Sequence, residues 1–183
     1  VRKGKTGESV ETLDGQKFKL DSSVIVLADS KDPLDIAGIK GGKKAEIAHD
    51  TKNILLTAGN FDRASIYKTS RKINLMTDAS SRFSHNISPE LIDSGLNRAT
   101  ELVLGLCGGT LGRLIDNYPK KYKKAVIKFD IAKFNRITGL NLKEKQALDY
   151  LKRLGFVVNN LFVTAPAIRT DIATLFLTRE ILS

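Results

Sequence analysis

The eleven residues Leu75–His85, "LMTDASSRFSH", hold seven polar side chains of the kinds that carry hydrolytic chemistry: Thr77, Asp78, Ser80, Ser81, Arg82, Ser84 and His85. A serine hydrolase built from them would need a hydroxyl held against a histidine base, with a buried carboxylate orienting that base. Such groups usually arrive from separate elements, so adjacency along the chain does not bring them face to face. No G-x-S-x-G turn presents Ser80 or Ser81. The same residues suit the polar wall of a pocket, or a helix cap and turn at Thr77 and Asp78. No residue is assigned a catalytic role. A second candidate is "LDIAGIKGG", an apolar run ending in Gly41 and Gly42. Paired glycines after a strand let backbone come close to a ligand or to a neighbouring strand, and they also serve plain turns.

Other chemistries are poorly supplied. One cysteine, Cys107, and two histidines, His49 and His85, fall short of a Cys/His zinc cage, and no metal ligand is assigned. Both histidines read as surface residues and Cys107 as a small core residue. Neither a P-loop nor G-x-G-x-x-G occurs. No apolar run approaches the ~20 residues of a membrane span, and the first residues lack the apolar centre of a secretory signal. No membrane contact is expected, and the cytoplasm is the expected compartment.

The chain has 183 residues and a formal net charge of +10. Lys and Arg number 16 against 14 acids in residues 1–110, but 14 against 6 in residues 111–183. The excess peaks in "PKKYKKAVIKFDIAKFNR", a cluster suited to a polyanion, because each phosphate neutralised releases counterions. A solvated linker would carry the same charges.

These residues need elements to position them. Asp14-Gly15 marks a hairpin turn. "VIVLAD" (24–29) and "NILLTA" (53–58) read as buried strands, and "LDIAGIKGG" as a third. Asp62 caps a helix with Ile66, Thr69 and Ile73 on one face. Ser88 as N-cap and Pro89 at the first turn open a longer helix with a buried stripe of Ile92, Leu96, Ala99 and Val103. "AVIKFDI" is a strand. Asn141 caps a helix over "NLKEKQALDYLKRLGF", with Ala147, Leu148, Leu151 and Leu154 buried and Gly155 as its stop. Asn159-Asn160 turns a final hairpin. The expectation is an α+β chain: a mixed sheet with packed helices over residues 1–115, then a small helix-and-hairpin domain over 116–183. Glycines, Pro119 and lysines mark the boundary.

"LDIAGIKGG", "TKNILLTAGNFDRASIYKTSRKINLMTDASSRF" and "PELIDSGLNRATELV" resemble, in order and spacing, the editing domain of bacterial phenylalanyl-tRNA synthetase β subunits. "IKFDIAKFNRITGLNLKEKQALDYLKRLGF" with "FVTAPAIRTDI" is similar to the small domain that follows it there. The resemblance implies a fragment of a β subunit whose partners are tRNA and a synthetase α subunit. ATP and Mg2+ would act at the α subunit's site, with no cofactor held by this fragment, and the editing domain would hydrolyse tyrosine wrongly joined to tRNA. It implies an editing pocket with Gly41 and Gly42 at the substrate's approach, Thr77 and Ala79 in the wall, and Thr57 where the family usually has a glutamate that accepts from the tyrosine hydroxyl. Water would attack the ester without a covalent intermediate. "RFSHNISP" stands where the family usually has "RFERGxDP", and the family's pocket histidine precedes the matched residues, so that His49 and His85 are not its counterparts. In the basic domain the resemblance and the charge together single out Lys120, Lys121, Lys123, Lys124, Lys143, Lys145, Lys152 and Arg153 for nucleic-acid contact. Arg169 and Asp171 read as a structural ion pair.

Overall fold

A computed structural model describes residues 1–118 and 121–172. Its residues divide into two compact units, one of Val1–Ile87 with Ser94–Leu102, the other of Ser88–Asp93 with the described residues from Val103 on. Among the described residues, no helix is long and apolar enough to cross a membrane.

In the first unit, β1 (Arg2–Lys3), β4 (Ile25–Ala28), β5 (Pro33–Ile36) and β6 (Lys40–Gly41) pair in that order into an antiparallel sheet. Between β1 and β4 the chain makes a separate hairpin of β2 (Ser9–Glu11) and β3 (Lys17–Lys19). The Asp14-Gly15 turn closes it, with Gly15 at a φ of 78° that favours glycine. "LDIAGIKGG" is two strands rather than one, because Gly38 at φ 69° reverses the chain between β5 and β6. Then α1 (Arg63–Lys72) and α2 (Asp78–Phe83) follow. Asp62 caps α1, its carboxylate accepting from Ser65 N–H at 2.8 Å. Ile66 meets Val10, Val24, Val26 and Ile36 in the core, with Ile73 packed at its edge.

"NILLTA" is not a strand. Residues 53–58 are irregular and exposed, with Leu55 87% accessible. β propensity does not provide a pairing edge, and the free side of β6 is already taken: Thr12 bridges Gly42, and Leu13 N–H donates to the Gly41 carbonyl at 3.0 Å. Ser88 does not cap the long helix α3 (Leu91–Cys107) either. Its hydroxyl accepts from Glu90 N–H at 3.3 Å, closing a turn in front of the helix. The stripe of Ile92, Leu96, Ala99 and Val103 is only partly buried, and no residue of α3 is fully buried. Cys107 is exposed, not core: it ends α3 beside Leu106, which is 83% accessible, and Gly108 stops the helix at φ 69°.

In the second unit, β7 (Val126–Lys128), α4 (Ile131–Thr138), α5 (Glu144–Arg153), β8 (Val157–Asn159) and β9 (Phe162–Thr164) form a helix–turn–helix with a three-stranded sheet ordered β7-β9-β8. The β8–β9 turn falls one residue later than Asn159-Asn160: Asn159 pairs with Phe162 as the last residue of β8, and Asn160, at φ 52°, begins the two-residue turn. Phe134, Ala147, Leu151 and Val163 centre its core. The sequence reading missed α4, although Asp130 caps it through Lys133 N–H (3.0 Å) and Gly139 ends it in the left-handed region. Asn141 does not cap α5. Asn135 holds both Leu142 N–H (3.1 Å) and Leu142 C=O (3.0 Å), so the helix opens later. Lys143 is the N-cap, its N–H donating to Gln146 Oε1 at 3.0 Å. Leu154 falls just past the helix and is 46% accessible, so the buried stripe ends at Leu151.

Candidate functional site

Gly41 ends β6 opposite Asp35, and Gly42 follows it. Neither glycine needs a left-handed backbone, and Gly42 has φ −92° and ψ 150°. Their constraint is space. A Cβ on Gly42 would stand 2.1 Å from the Leu34 carbonyl oxygen and 2.9 Å from its carbon, whereas one on Gly41 would meet the Leu13 Cδ1 methyl at 3.1 Å. Gly42 is therefore required by strand-to-strand approach. Gly41 keeps its bare backbone under one half-exposed side chain, Leu13.

Thr77 is the N-cap of α2. Its Oγ1 accepts from Ser80 N–H at 3.0 Å and donates to the Ile39 carbonyl at 2.8 Å. Ser80, fully buried, returns the bond: its Oγ accepts from Thr77 N–H at 2.8 Å and donates to Thr77 C=O at 2.9 Å. The cap reading of Thr77 is met, and the same hydroxyl brings α2 to the segment that leads into Gly41. Ala79, half-buried, is the second residue of α2. Thr57 sits exposed in the irregular 53–58 segment, and among the described residues no hydrogen bond ties it to Gly41, Thr77 or Ala79.

Two nearby groups take roles that their residue types do not announce. Ser80 looked like a candidate nucleophile, and its burial spends the hydroxyl on backbone. Asp35 drew no attention as one acid in a strand, yet it faces Gly41 across the pairing, and burial raises its carboxyl above the usual range against a single bond from Leu27 N–H (3.1 Å). No local signal in the sequence places it there, because the pairing with Gly41 exists only in the folded sheet. His49 and His85 are exposed. The His85 ring Nδ1 lies 2.7 Å from the Ser81 carbonyl, and with Asn60, Asp62 and Arg63 it lines an open polar hollow of about 250 Å³. Elsewhere in this unit the Arg2 guanidinium grips Glu8 at 2.7 and 2.9 Å, and with Lys5 N–H it lowers that carboxyl to about 2.

In the second unit Lys121, Lys123, Lys124, Lys143, Lys145, Lys152 and Arg153 are all exposed, and Lys120 lies outside the described residues. Lys145, Lys152 and Arg153 occupy the side of α5 away from Ala147 and Leu151. Several carry local partners. Lys124 bonds Glu90 at 2.9 Å, Lys121 stacks 4.5 Å above the Tyr118 ring and lies 3.6 Å from Asp116, Lys152 is 3.8 Å from Asp149, and Arg153 covers the Tyr150 ring at 5.9 Å. Exposed pairs of this kind hold a cation weakly, at about 0–1 kcal/mol, so a phosphate can displace them. Arg169 and Asp171 do form a two-point ion pair, at 2.9 and 2.7 Å. No group of three or more His, Cys, Asp or Glu among the described residues could hold a metal ion.

Residues 1–108 match the B3/4 domain family. The chain belongs to that family. Residues 127–174 match the tRNA synthetase B5 domain, so a B3/4 domain and a B5 domain follow one another. The chain is similar to the "Phenylalanine--tRNA ligase beta subunit" of Carboxydothermus hydrogenoformans, 38% identical over 178 residues, covering 94% of this chain and 22% of that protein. It is also similar to the subunits of the same name from Legionella pneumophila strain Lens (36% over 179 residues, 94% and 23%) and Brucella suis (36% over 176 residues, 94% and 22%). The chain thus spans 22–23% of the length of these relatives. The resemblance to phenylalanyl-tRNA synthetase β subunits drawn from "AGIKGG", "TDASSRF" and "APAIRTDI" holds.

Proposed function

We propose that this B3/4–B5 chain serves as part of a phenylalanine–tRNA ligase β subunit, where it contributes tRNA contacts and hydrolytic proofreading of tyrosyl-tRNA. The observation that carries this reading is the succession of the two domains in one chain with 36–38% identity to β subunits across 94% of its length. Within it, the mischarged tyrosine ester lies against the bare backbone of Gly41 and the Ala79 side of α2. A water attacks the ester carbon, oriented by backbone groups and by the tRNA's own terminal hydroxyls, and no side chain forms a covalent bond. Tyrosine differs from phenylalanine by one hydroxyl, so selectivity rests on its acceptor. A neutral acceptor such as Thr57 contributes about 1 kcal/mol and a charged one about 1.5–3 kcal/mol. The α subunit is the partner that holds the aminoacylation site, where ATP and Mg2+ act, and the cytoplasm is the compartment of that work.

Exposed Thr57, in irregular backbone with no carboxylate in its place, favours a second reading in which the chain is a scaffold for tRNA and subunit packing with a degenerate pocket. Deacylation of tyrosyl-tRNA by the complete ligase separates the two. Proofreading by this pocket gives ester loss above the uncatalysed rate, raised roughly fivefold by Thr57→Glu, the rate equivalent of about 1 kcal/mol. Ester loss at the background rate with the wild type eliminates proofreading. A wild type as fast as the Thr57→Glu variant eliminates the scaffold reading. For the basic unit, tRNA affinity falls log-linearly with salt, and Lys152→Ala or Arg153→Ala reduces the slope by about 0.7–0.9 each. A salt-independent affinity refutes phosphate contact.

A further inference from the structure

We infer that Ser80, a buried side chain that can touch no substrate, is the positioning residue of the candidate pocket, setting the distance between its α2 wall and its glycine strand through Thr77. An ordinary capping box joins a Ser or Thr N-cap to a long Glu or Gln at the third helical position. Here the third position is a short serine, fully buried, whose oxygen both accepts from Thr77 N–H (2.8 Å) and donates to Thr77 C=O (2.9 Å). The Thr77 carbonyl also accepts the first helical bond, from Ser81 N–H at 2.9 Å, so the Ser80 hydroxyl is the side-chain partner of both Thr77 backbone groups and, among the described residues, the partner of its N–H.

The orientation of the Thr77 side chain follows. With its backbone held at φ −131° and ψ 165°, Oγ1 receives the Ser80 N–H and its single proton goes to Ile39 C=O at 2.8 Å. A threonine hydroxyl has one proton to give, so Thr77 has no donor left for a ligand. It acts by holding the strand. Ile39 lies two residues before Gly41, a path of about 7 Å at most, which leaves little slack between the clamp and the bare backbone. The hydroxyl of Ser80 thus fixes Thr77, Thr77 fixes Ile39, and Ile39 fixes where Gly41 stands relative to Ala79. Among the described residues, the bond from Thr77 Oγ1 to the Ile39 carbonyl is the one side-chain hydrogen bond between α2 and the β5–β6 segment, so the clamp has no substitute of its own kind.

The kinetic consequence rests on the proofreading reading above, whereas the structural consequence stands without it. The experiment uses the complete ligase with Ser80→Ala, which removes the hydroxyl and adds no volume, and measures two quantities. In hydrogen exchange, the peptide spanning residues 38–43 exchanges at least about fivefold faster than in the wild type, beyond any change inside α2. In tyrosyl-tRNA deacylation, kcat falls about tenfold while KM stays within about twofold, as expected for lost alignment of a bound ester. Thr77→Val, which cuts the clamp at its other end, reproduces both effects, and Thr77→Ser, which keeps the hydroxyl, restores wild-type exchange at 38–43. Faster exchange confined to α2, with 38–43 unchanged, overturns the inference and leaves Ser80 a local cap. A wild type that hydrolyses nothing overturns proofreading alone, and the exchange arm still decides the clamp. If Ser80→Ala does not fold, the Thr77→Val and Thr77→Ser pair decides the clamp by the same two measurements.

Discussion

Gly41 and Gly42 are adjacent and chemically identical, yet their surroundings predict opposite responses to one added methyl. At Gly42 the new Cβ would lie 2.1 Å from a backbone oxygen, that of Leu34, and 3.2 Å from Val10 Cγ2. Close carbon–oxygen contacts settle at about 3.3 Å, so one strand would have to retreat by roughly 1 Å. Overpacking of this kind costs about 1–3 kcal/mol, and the retreat would weaken at least one neighbouring strand bond, each net worth about 1 kcal/mol. Gly42→Ala should therefore destabilise the first unit by about 2–4 kcal/mol. At Gly41 the methyl meets only the Leu13 side chain, 47% accessible and free to turn aside, so Gly41→Ala should cost less than about 1 kcal/mol. Urea denaturation of the full chain, followed by a probe in the first unit, measures both. With about 4–8 °C per kcal/mol for a unit of this size, Gly42→Ala also lowers the first unit's melting temperature by roughly 8–32 °C. Equal costs at the two positions, or a Gly42→Ala cost below about 0.5 kcal/mol, would refute the steric reasoning. Under the proposed proofreading function, Gly41→Ala should keep stability while slowing deacylation, since the methyl and the Leu13 side chain it displaces crowd the Gly41 backbone.

Three further outcomes are expected. Asp62→Ala removes the α1 cap and should cost about 1 kcal/mol in chemical denaturation, with Asp62→Asn nearly neutral. Glu8, held near pKa 2 by Arg2, stays ionised in the folded chain at pH values where it protonates when unfolded. Its stabilisation is complete above the ordinary carboxylate range near 4.5 and is lost as pH falls toward 2, so the stability gap between wild type and Glu8→Gln should close over that window in pH-dependent melting. Leu151→Ala, at a fully buried site of the second core, should cost about 2–5 kcal/mol; denaturation by domain-specific probes should show the second unit failing while the first keeps its midpoint.

The parts of the fold legible from sequence were those whose cause is local. Asp14-Gly15, Asp62 and Asn160 impose turns and caps by their own chemistry, and the hairpins and α1 appeared where expected, the β8–β9 turn one residue late. α4 is the exception, unread although its cap Asp130 and its stop Gly139 are local; the other misplacements have causes elsewhere in the fold. "NILLTA" has the composition of a strand but no edge to pair with, because Thr12 and Leu13 reach the side of β6 first. Asn141 has the chemistry of a cap, but Asn135 pins Leu142 and shifts the start of α5. The candidate site divides the same way. A cap at Thr77 could be read from its neighbours, whereas its bond to Ile39, 38 residues away, and the pairing of Asp35 with Gly41 depend on the folded sheet.

The open run at residues 53–58 has a consequence for handling this chain. Ile54, Leu55 and Leu56 stand 51%, 87% and 38% accessible on backbone that no described strand pairs with. A short, uncharged, β-prone segment in that state is a template for its own copy in another molecule. Concentrated solutions of the chain should self-associate through it, and a single lysine in place of Leu55 should act as a gatekeeper that keeps the molecules apart.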